Sequence, residues 1–357
     1  MDTLTFIKNI FKYNSSSYED FICIYNKNNL KWILPRKKQY AQNLLKNWRP
    51  YSFKSFIFWQ LLKFFYFFNV PHLLYNIKRI RLSQSHINWS IYGWELKEKP
   101  FFGIYLGTKS LEQKIIIFLF DRNNFEKNLI IKYPFALHSW DLIKKEFKFL
   151  NYLKKNFYGV APVPIKKSPK IKFSSQKFLK GKPTNPDFSL NHYQFLASLV
   201  YENRNMKLKS LKLKLNEFIF QNKENLSRNN FLKIAKTLIS KLNKEGKFPL
   251  ALIHGDFICW NIKESENGNL NVFDWEYSEK FGLPFYDLYY YKYQTLKKLG
   301  KNININLNQY INFLPIKKTD QMIKDLSIVS SVAELIVLNN LNLKNFSERN
   351  YKLLLYK

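Results

Sequence analysis

Late in a mostly helical stretch, the sequence carries one short β-type island that fixes how several distant residues meet. It reads LALIHGDFICWNI, then ENGN, then LNVFDWE, within Leu250 to Glu276. An Asn-Gly pair supplies the left-handed backbone angles that a tight hairpin turn demands. Leu270, Val272 and Asp274 alternate onto one face of the returning strand. Asp256 and Asn261 precede the first strand and Asp274 ends the second. The turn therefore predicts that two acids and an amide, eighteen residues apart at most, converge. Such hard oxygens suit Mg²⁺, which takes one or two carboxylates and leaves its other positions to water and phosphate. A remaining carboxylate can orient an attacking hydroxyl as base. The plainer reading is a loop Asp that caps a helix and an Asn in a turn. It suffices for any one of these residues and fares worse for the ordered set.

A strand-rich segment lies upstream. KIIIFLF (Lys114 to Phe120) and NLIIKYP (Asn128 to Pro134) read as strands joined by the polar turn DRNNFEK. A helix is predicted over Ser139 to Phe157, with Ser139 as N-cap and Ile143, Phe147, Leu150, Leu153 and Phe157 at helical spacing. Lys132 alternates with Leu129, Ile131 and Tyr133, so it shares the face of Ile130. A lysine among isoleucines in mid-strand needs an anionic partner, because charges are seldom buried unpaired. Glu146, on the inward stripe of the helix, is the candidate. The alternative is an edge-strand lysine and a solvated glutamate. After QKFLKGKPT (Gln176 to Thr184), which Gly181 and Pro183 break, helices are expected over Leu208 to Phe220, Phe231 to Leu242 and from 305 onward.

Three regions follow: an aromatic and basic extension over 1–95, a strand-rich part over 96–182 and a helical part over 183–357. The class is α+β. The 357 residues are 46% hydrophobic, enough for a large core. Cys23 and Cys259 form no CxxC pair, and the five histidines lack metal-ligand spacing, so disulfide frameworks and cysteine or histidine metal sites are excluded. A reducing, cytoplasmic compartment fits. The net charge of +32 admits a nucleic-acid or anionic-membrane partner, but lysine is spread along the whole chain, as A/T-rich codon usage produces. MDTLTFIKNIFKYN has no leader character. FIFWQLLKFFYFFNV (Phe56 to Val70) is too short to span a bilayer and reads as a buried helix. The second reading is an interfacial helix whose aromatics dip into lipid while IKRIRL (Ile77 to Leu82) meets head groups, holding the chain at the inner face of the membrane.

HGDFICWN followed by FDWE resembles the aminoglycoside phosphotransferase/choline kinase family, and GLPFYDL (Gly282 to Leu288) is similar to the stretch that follows in that family. The resemblance covers about residues 96 to 300. It implies a bilobal protein-kinase-like fold, with a small β-rich N-lobe and a larger helical C-lobe, and phosphoryl transfer from ATP to a hydroxyl of a small molecule, a chemistry of positioning and charge neutralisation. Under it, Lys132 held by Glu146 binds the α- and β-phosphates. Asn261 and Asp274 hold Mg²⁺. Asp256 meets the substrate hydroxyl, and His254 braces the loop. The backbone of Lys177, Phe178 and Leu179 receives the adenine. The phosphate-covering loop falls in FFGIYLGTKS, with Gly103 and Gly107, where bulky Ile104, Tyr105 and Leu106 depart from the glycine-rich pattern.

The acceptor is read from charge. Aminoglycosides are polycations and call for an acidic pocket, whereas the region after 185 is lysine-rich. A sugar, in a glycan or lipid-linked precursor, fits better. Choline calls for an aromatic cage, for which Trp275, Tyr286 and Tyr289 to Tyr291 have the rings. Two other classes stay open: a kinase-like scaffold without catalysis, and a nucleic-acid binder resting on charge alone, with no specific sequence preference. Cys259 reads as a packed side chain.

Overall fold

The β-branched runs of the first half pair into one antiparallel sheet of eight strands. The computed structural model describes Ile7, Phe11 and residues 19–343, apart from 27, 72–76, 84–86, 108, 122–123, 158, 229–230 and 243–244. Most of the stretch read for a leader, and two residues of the DRNNFEK turn, lie outside the described residues. The strands are β1 (Glu19–Asn26), β2 (Asn29–Pro35), β3 (Ile77–Leu82), β4 (Phe101–Leu106), β5 (Lys114–Phe120), β6 (Leu129–Pro134), β7 (Pro164–Ser168) and β8 (Phe173–Lys177), in the order β3-β1-β2-β4-β5-β6-β8-β7. Three of them come from within residues 1–95. Trp32 pairs with Tyr105 and Ile33 with Ile104, so β1 to β3 extend the same sheet as β4 to β8.

Register decides which residues share a face. Lys132 lies opposite Ile116, Ile130 opposite Phe118, and Gly103 opposite Phe118 on the other side. One face therefore carries Lys132, Ile130, Phe118, Phe120, Tyr105 and Trp32. Three helices cover it. Helices α1 (Lys38–Asn47) and α2 (Phe53–Phe67) bring Ala41, Leu44, Leu45, Leu62 and Tyr66 into a core with Ile22, Trp32, Leu34, Phe120 and Phe178. Helix α3 (Ser139–Asn156) brings Glu146 to Lys132. The other face forms a second core around Phe102, Ile104, Ile117, Ile131, Tyr133 and Phe173, closed by Trp89, Tyr92 and Trp94.

Several expectations meet corrections here. Ser139 does not cap α3; His138 takes that position, and buried Ser139 Oγ accepts the N–H groups of Phe135 and Ala136 instead. Gly103 is not in a phosphate loop. It lies mid-strand in β4, where a Cβ would meet Leu44 Cδ1 at 2.2 Å. The glycine makes room for α1, and the connection between β4 and β5 begins at Gly107. The run Phe56 to Val70 is a helix, as expected, but not a buried one: within it, only Leu62 and Tyr66 are fully buried.

The chain divides into two units. The first holds 1–183, Lys263–Glu266 and Asn271–Glu276; the second holds Thr184–Ile262, Asn267–Leu270 and 277–357. The first unit ends its main run at β9 (Lys182–Pro183). Strands β12 (Ile262–Glu264) and β13 (Leu270–Val272) return for most of their length to the first unit and pair with β9 in the order β13-β12-β9. The second unit is mainly helical: in chain order come α4 (Leu190–Ser198), β10 (Val200–Lys207), α5 (Leu208–Arg228), α6 (Phe231–Lys241), β11 (Lys247–Ile253), β14 (Glu279–Gly282), α7 (Tyr286–Leu299), α8 (Leu307–Phe313) and α9 (Asp320–Asn340). Helix α5 runs past the expected Phe220, with a break at Asn222 (φ −116°, ψ 17°). The hairpin has the expected form: Asp256 and Asn261 stand before β12, Gly268 turns with φ 79°, and Asp274 follows β13.

Candidate active site

In the first unit, Lys132 is almost wholly buried and bonds two acids. Its Nζ donates to Glu146 Oε1 and Oε2 at 2.7 and 2.8 Å and to Asp274 Oδ1 at 2.5 Å. The Lys132–Glu146 pairing that the sequence suggests is thus present, and Asp274 joins it from 142 residues away. Burial alone would depress the lysine; the carboxylates of Asp274 and Glu146 outweigh it and hold the ammonium above its ordinary range. Beside it Lys114 pairs with Glu276, and here burial wins and lowers the lysine. Glu146, Asp274 and Glu276 each offer an oxygen within 4.8 Å of the others.

Asp274 does not continue the strand alternation that placed Leu270 and Val272 on one face. Its φ is +69°, a left-handed conformation that Asp tolerates better than most residues. Its neighbour secures it. Trp275 is fully buried, donates Nε1–H to Val272 O at 2.8 Å and stacks on Phe149 of α3 with centroids 5.9 Å apart. The two elements that carry Glu146 and Asp274 are therefore packed together through a tryptophan.

The chain segment expected to receive adenine is already engaged. Lys177 N–H donates to Val163 O and Phe178 N–H to Asn128 O. The Leu179 carbonyl accepts Lys263 Nζ at 3.0 Å, and the same Nζ reaches Asn47 Oδ1 of α1 at 3.1 Å and the Phe178 ring at 3.9 Å. Burial lowers Lys263 to about 7. The N–H donors of Lys177 and Phe178 are thus spent within the fold, which leaves backbone carbonyls as what these two residues would offer a base. Gly107 likewise has its carbonyl on Gln113 Nε2 and Lys31 Nζ.

In the second unit, the loop His254–Asn261 is built around Asp256. Asn261 Nδ2 donates to Asp256 Oδ2 at 2.8 Å and to its carbonyl at 3.0 Å. Tyr290 of α7 donates to Asp256 Oδ1 at 2.8 Å. A carboxylate has about four lone-pair sites, so both oxygens keep capacity for a further hydroxyl. With its amide nitrogen committed to Asp256, Asn261 keeps Oδ1 as an acceptor for a cation. His254 is fully buried, and its Nδ1 accepts Asp256 N–H at 3.1 Å. The neutral ring then carries its proton on Nε2.

Asp287 fixes the loop from below. Its oxygens accept His254 N–H at 2.6 Å and Gly255 N–H at 2.9 Å. Burial pushes this carboxyl up to about 7, against those two backbone bonds. Gly255 has φ +83°, and a Cβ there would lie 2.5 Å from Tyr277 O. Sequence reasoning named Tyr290 only as a possible cage ring and missed its bond to Asp256, and it missed Lys263 and the Lys114–Glu276 pair. Tyr290 stands in a run of tyrosines with no local mark to single it out, and Lys263 reads as one more lysine in a lysine-rich chain. Cys259 is buried, with Thr184 Oγ1 on its carbonyl. Of the rings considered for a cation cage, Tyr289 and Tyr291 are core residues that bond Ser330 and Asn185.

No protein-family profile and no curated protein matches the chain. Solved structures similar to it include a macrolide 2'-phosphotransferase type I, with 11% identity over 72% of this chain and 97% of that one, at a TM-score of 0.45. A choline/ethanolamine kinase family protein from Mesorhizobium loti has 14% identity over 76% and 92%, at 0.43. An ADP-bound aminoglycoside phosphotransferase has 14% identity over 70% and 99%, at 0.38. With identities this low and TM-scores below 0.5, the functional reading rests on the residues themselves.

Proposed function

We propose that the chain is an ATP- and Mg²⁺-dependent phosphotransferase acting on a hydroxyl of a small molecule, with a sugar in a glycan or lipid-linked precursor as the acceptor class. The observation that carries this reading is Lys132, buried mid-strand and bonded to both Glu146 and Asp274. An edge-strand lysine gains nothing from two acids on separate elements. A lysine that must meet phosphate oxygens at a fixed place gains its position from them. In the first unit, Lys132 is the phosphate-binding cation, Glu146 holds it, and Asp274 is a metal ligand. In the second, Asp256 orients the acceptor hydroxyl and takes its proton, Asn261 supplies a metal-facing oxygen, and His254 with Asp287 braces the loop. Mg²⁺, when bound, neutralises charge on the transferring phosphoryl group. Tyr290, which donates to Asp256 Oδ1, helps to orient that carboxylate.

The acceptor follows from charge. After 185 lysines and arginines outnumber acids by 25 to 16, and Asp287, the acid beneath the loop, is buried on backbone amides, which disfavours a polycation. The test is a screen of sugar, amino-alcohol and aminoglycoside acceptors with ATP and Mg²⁺, read by mass spectrometry of phosphorylated product. Transfer to sugars supports the reading, and transfer to aminoglycosides alone contradicts the acceptor class. A second reading, a kinase-like scaffold without turnover, is favoured by one observation: the Lys177 and Phe178 donors and the Leu179 carbonyl are occupied by protein groups. Absence of any Mg²⁺-dependent stabilisation by ATP would select it.

A further inference from the structure

Helix α2 is apolar on almost every side and yet is not buried. Leu62 and Tyr66 turn inward, and Tyr66 Oη anchors the helix on Pro35 O at 2.7 Å. The opposite side presents Phe53, Ile57, Leu61, Phe64 and Phe68, which are 78%, 44%, 44%, 58% and 56% exposed. Steps of three and four residues place them on one stripe along the whole helix. A helix apolar all round belongs inside a protein or against an apolar phase. Fifteen residues give a rod of ~22 Å, shorter than the ~30 Å hydrocarbon core of a bilayer. Among the described residues no helix is long and apolar enough to cross a membrane. Lying along a surface is what this length permits.

Charge identifies the surface. Between Asp20 and Glu95 the sequence has no acid at all, yet it has twelve lysines and arginines. Two of these cations stand over rings of α2 itself: Lys38 Nζ is 4.3 Å from the Phe67 centroid and Lys63 Nζ 3.3 Å from that of Trp59. Strand β3, the edge of the sheet, begins with Ile77 against the same core as α2, and Arg79 and Arg81 follow it, exposed, on that same face. A second copy of the chain would oppose these cations with its own. Ile57 and Leu61 have no planar face to stack on nucleobases, which disfavours a nucleic-acid strand.

We propose that α2 docks the chain on an anionic lipid bilayer surface. The helix lies in the plane of the interface. Phe53, Ile57, Leu61, Phe64 and Phe68 enter the acyl boundary, while Lys54, Arg79 and Arg81 meet phosphate head groups. None of these residues belongs to the proposed phosphotransfer machinery, so either reading can fail without the other.

Flotation of the full chain with vesicles tests it, using phosphatidylcholine alone or mixed with phosphatidylglycerol. Two double variants, Phe64→Asp/Phe68→Asp and Arg79→Glu/Arg81→Glu, are checked for native circular dichroism. The wild type should float with anionic vesicles and not with neutral ones, and each variant should bind at least about tenfold more weakly. No flotation with anionic vesicles overturns the proposal. So does unchanged binding by Phe64→Asp/Phe68→Asp, since net charge alone would then explain it. A dimer or an RNA complex that the same variant abolishes, without vesicle binding, assigns the stripe to another partner.

Discussion

Replacing Lys132 by methionine removes the cation that Glu146 and Asp274 share. The substitution nearly conserves volume, so packing changes little. At an effective dielectric of about 20, each contact near 2.7 Å is worth about 6 kcal/mol of Coulomb energy before desolvation. Desolvation of the three groups offsets most of that. Removing one partner, however, strands the Glu146 carboxylate, whose side chain is only 1% exposed. Breaking a buried pair in this way costs about 3–5 kcal/mol. For a unit of this size the melting temperature falls by on the order of 10 °C. The double variant Lys132→Met/Glu146→Leu removes the stranded charge and should recover most of that loss, while ATP turnover stays abolished. Urea unfolding of the wild type, both single variants and the double variant closes the cycle. A loss below about 0.5 kcal/mol for Lys132→Met would mark an ordinary surface lysine and refute the reasoning.

Gly255→Ala places a Cβ 2.5 Å from Tyr277 O at φ +83°, and should cost about 1–2 kcal/mol in backbone strain alone, with activity falling further; wild-type stability by thermal melting would contradict this. Asp287 titrates at about 7 in the fold, above its unfolded value of 3.8. The native state therefore binds the extra proton between these limits, and stability falls as pH rises from about 4 to about 7. Asp287→Asn should flatten that fall, as melting curves across this range would reveal, and an unchanged slope would discount the assignment. Lys263→Met frees the Leu179 carbonyl, so calorimetric ATP affinity should rise several-fold if that carbonyl meets the base; unchanged affinity would place the base elsewhere.

What was legible in the sequence was local. Strands β5 and β6 show β-branched runs, α3 shows its stripe, and the Asn-Gly turn fixes the hairpin that carries Asp274. The loop His254–Asn261 was legible as an ordered set. What could not be read depends on distant partners. Gly103 resembled half of a phosphate loop because its reason, the approach of Leu44, lies 59 residues earlier. Strands β1 and β2 join the sheet through Trp32 opposite Tyr105, a pairing with no local mark. The all-round apolarity of α2 predicted burial, since the period does not say that one side stays uncovered. Tyr290 differs from its neighbouring tyrosines only in pointing at Asp256.

The central claim is that Asp256 meets a hydroxyl that receives phosphate from ATP. The direct measurement is product formation from ATP and Mg²⁺ with the best acceptor, for the wild type beside Asp256→Ala. A general base contributes about 10²–10⁴-fold, so product should form with the wild type and fall by at least about 100-fold in the variant while ATP affinity is retained. Equal turnover in the two proteins would contradict the account.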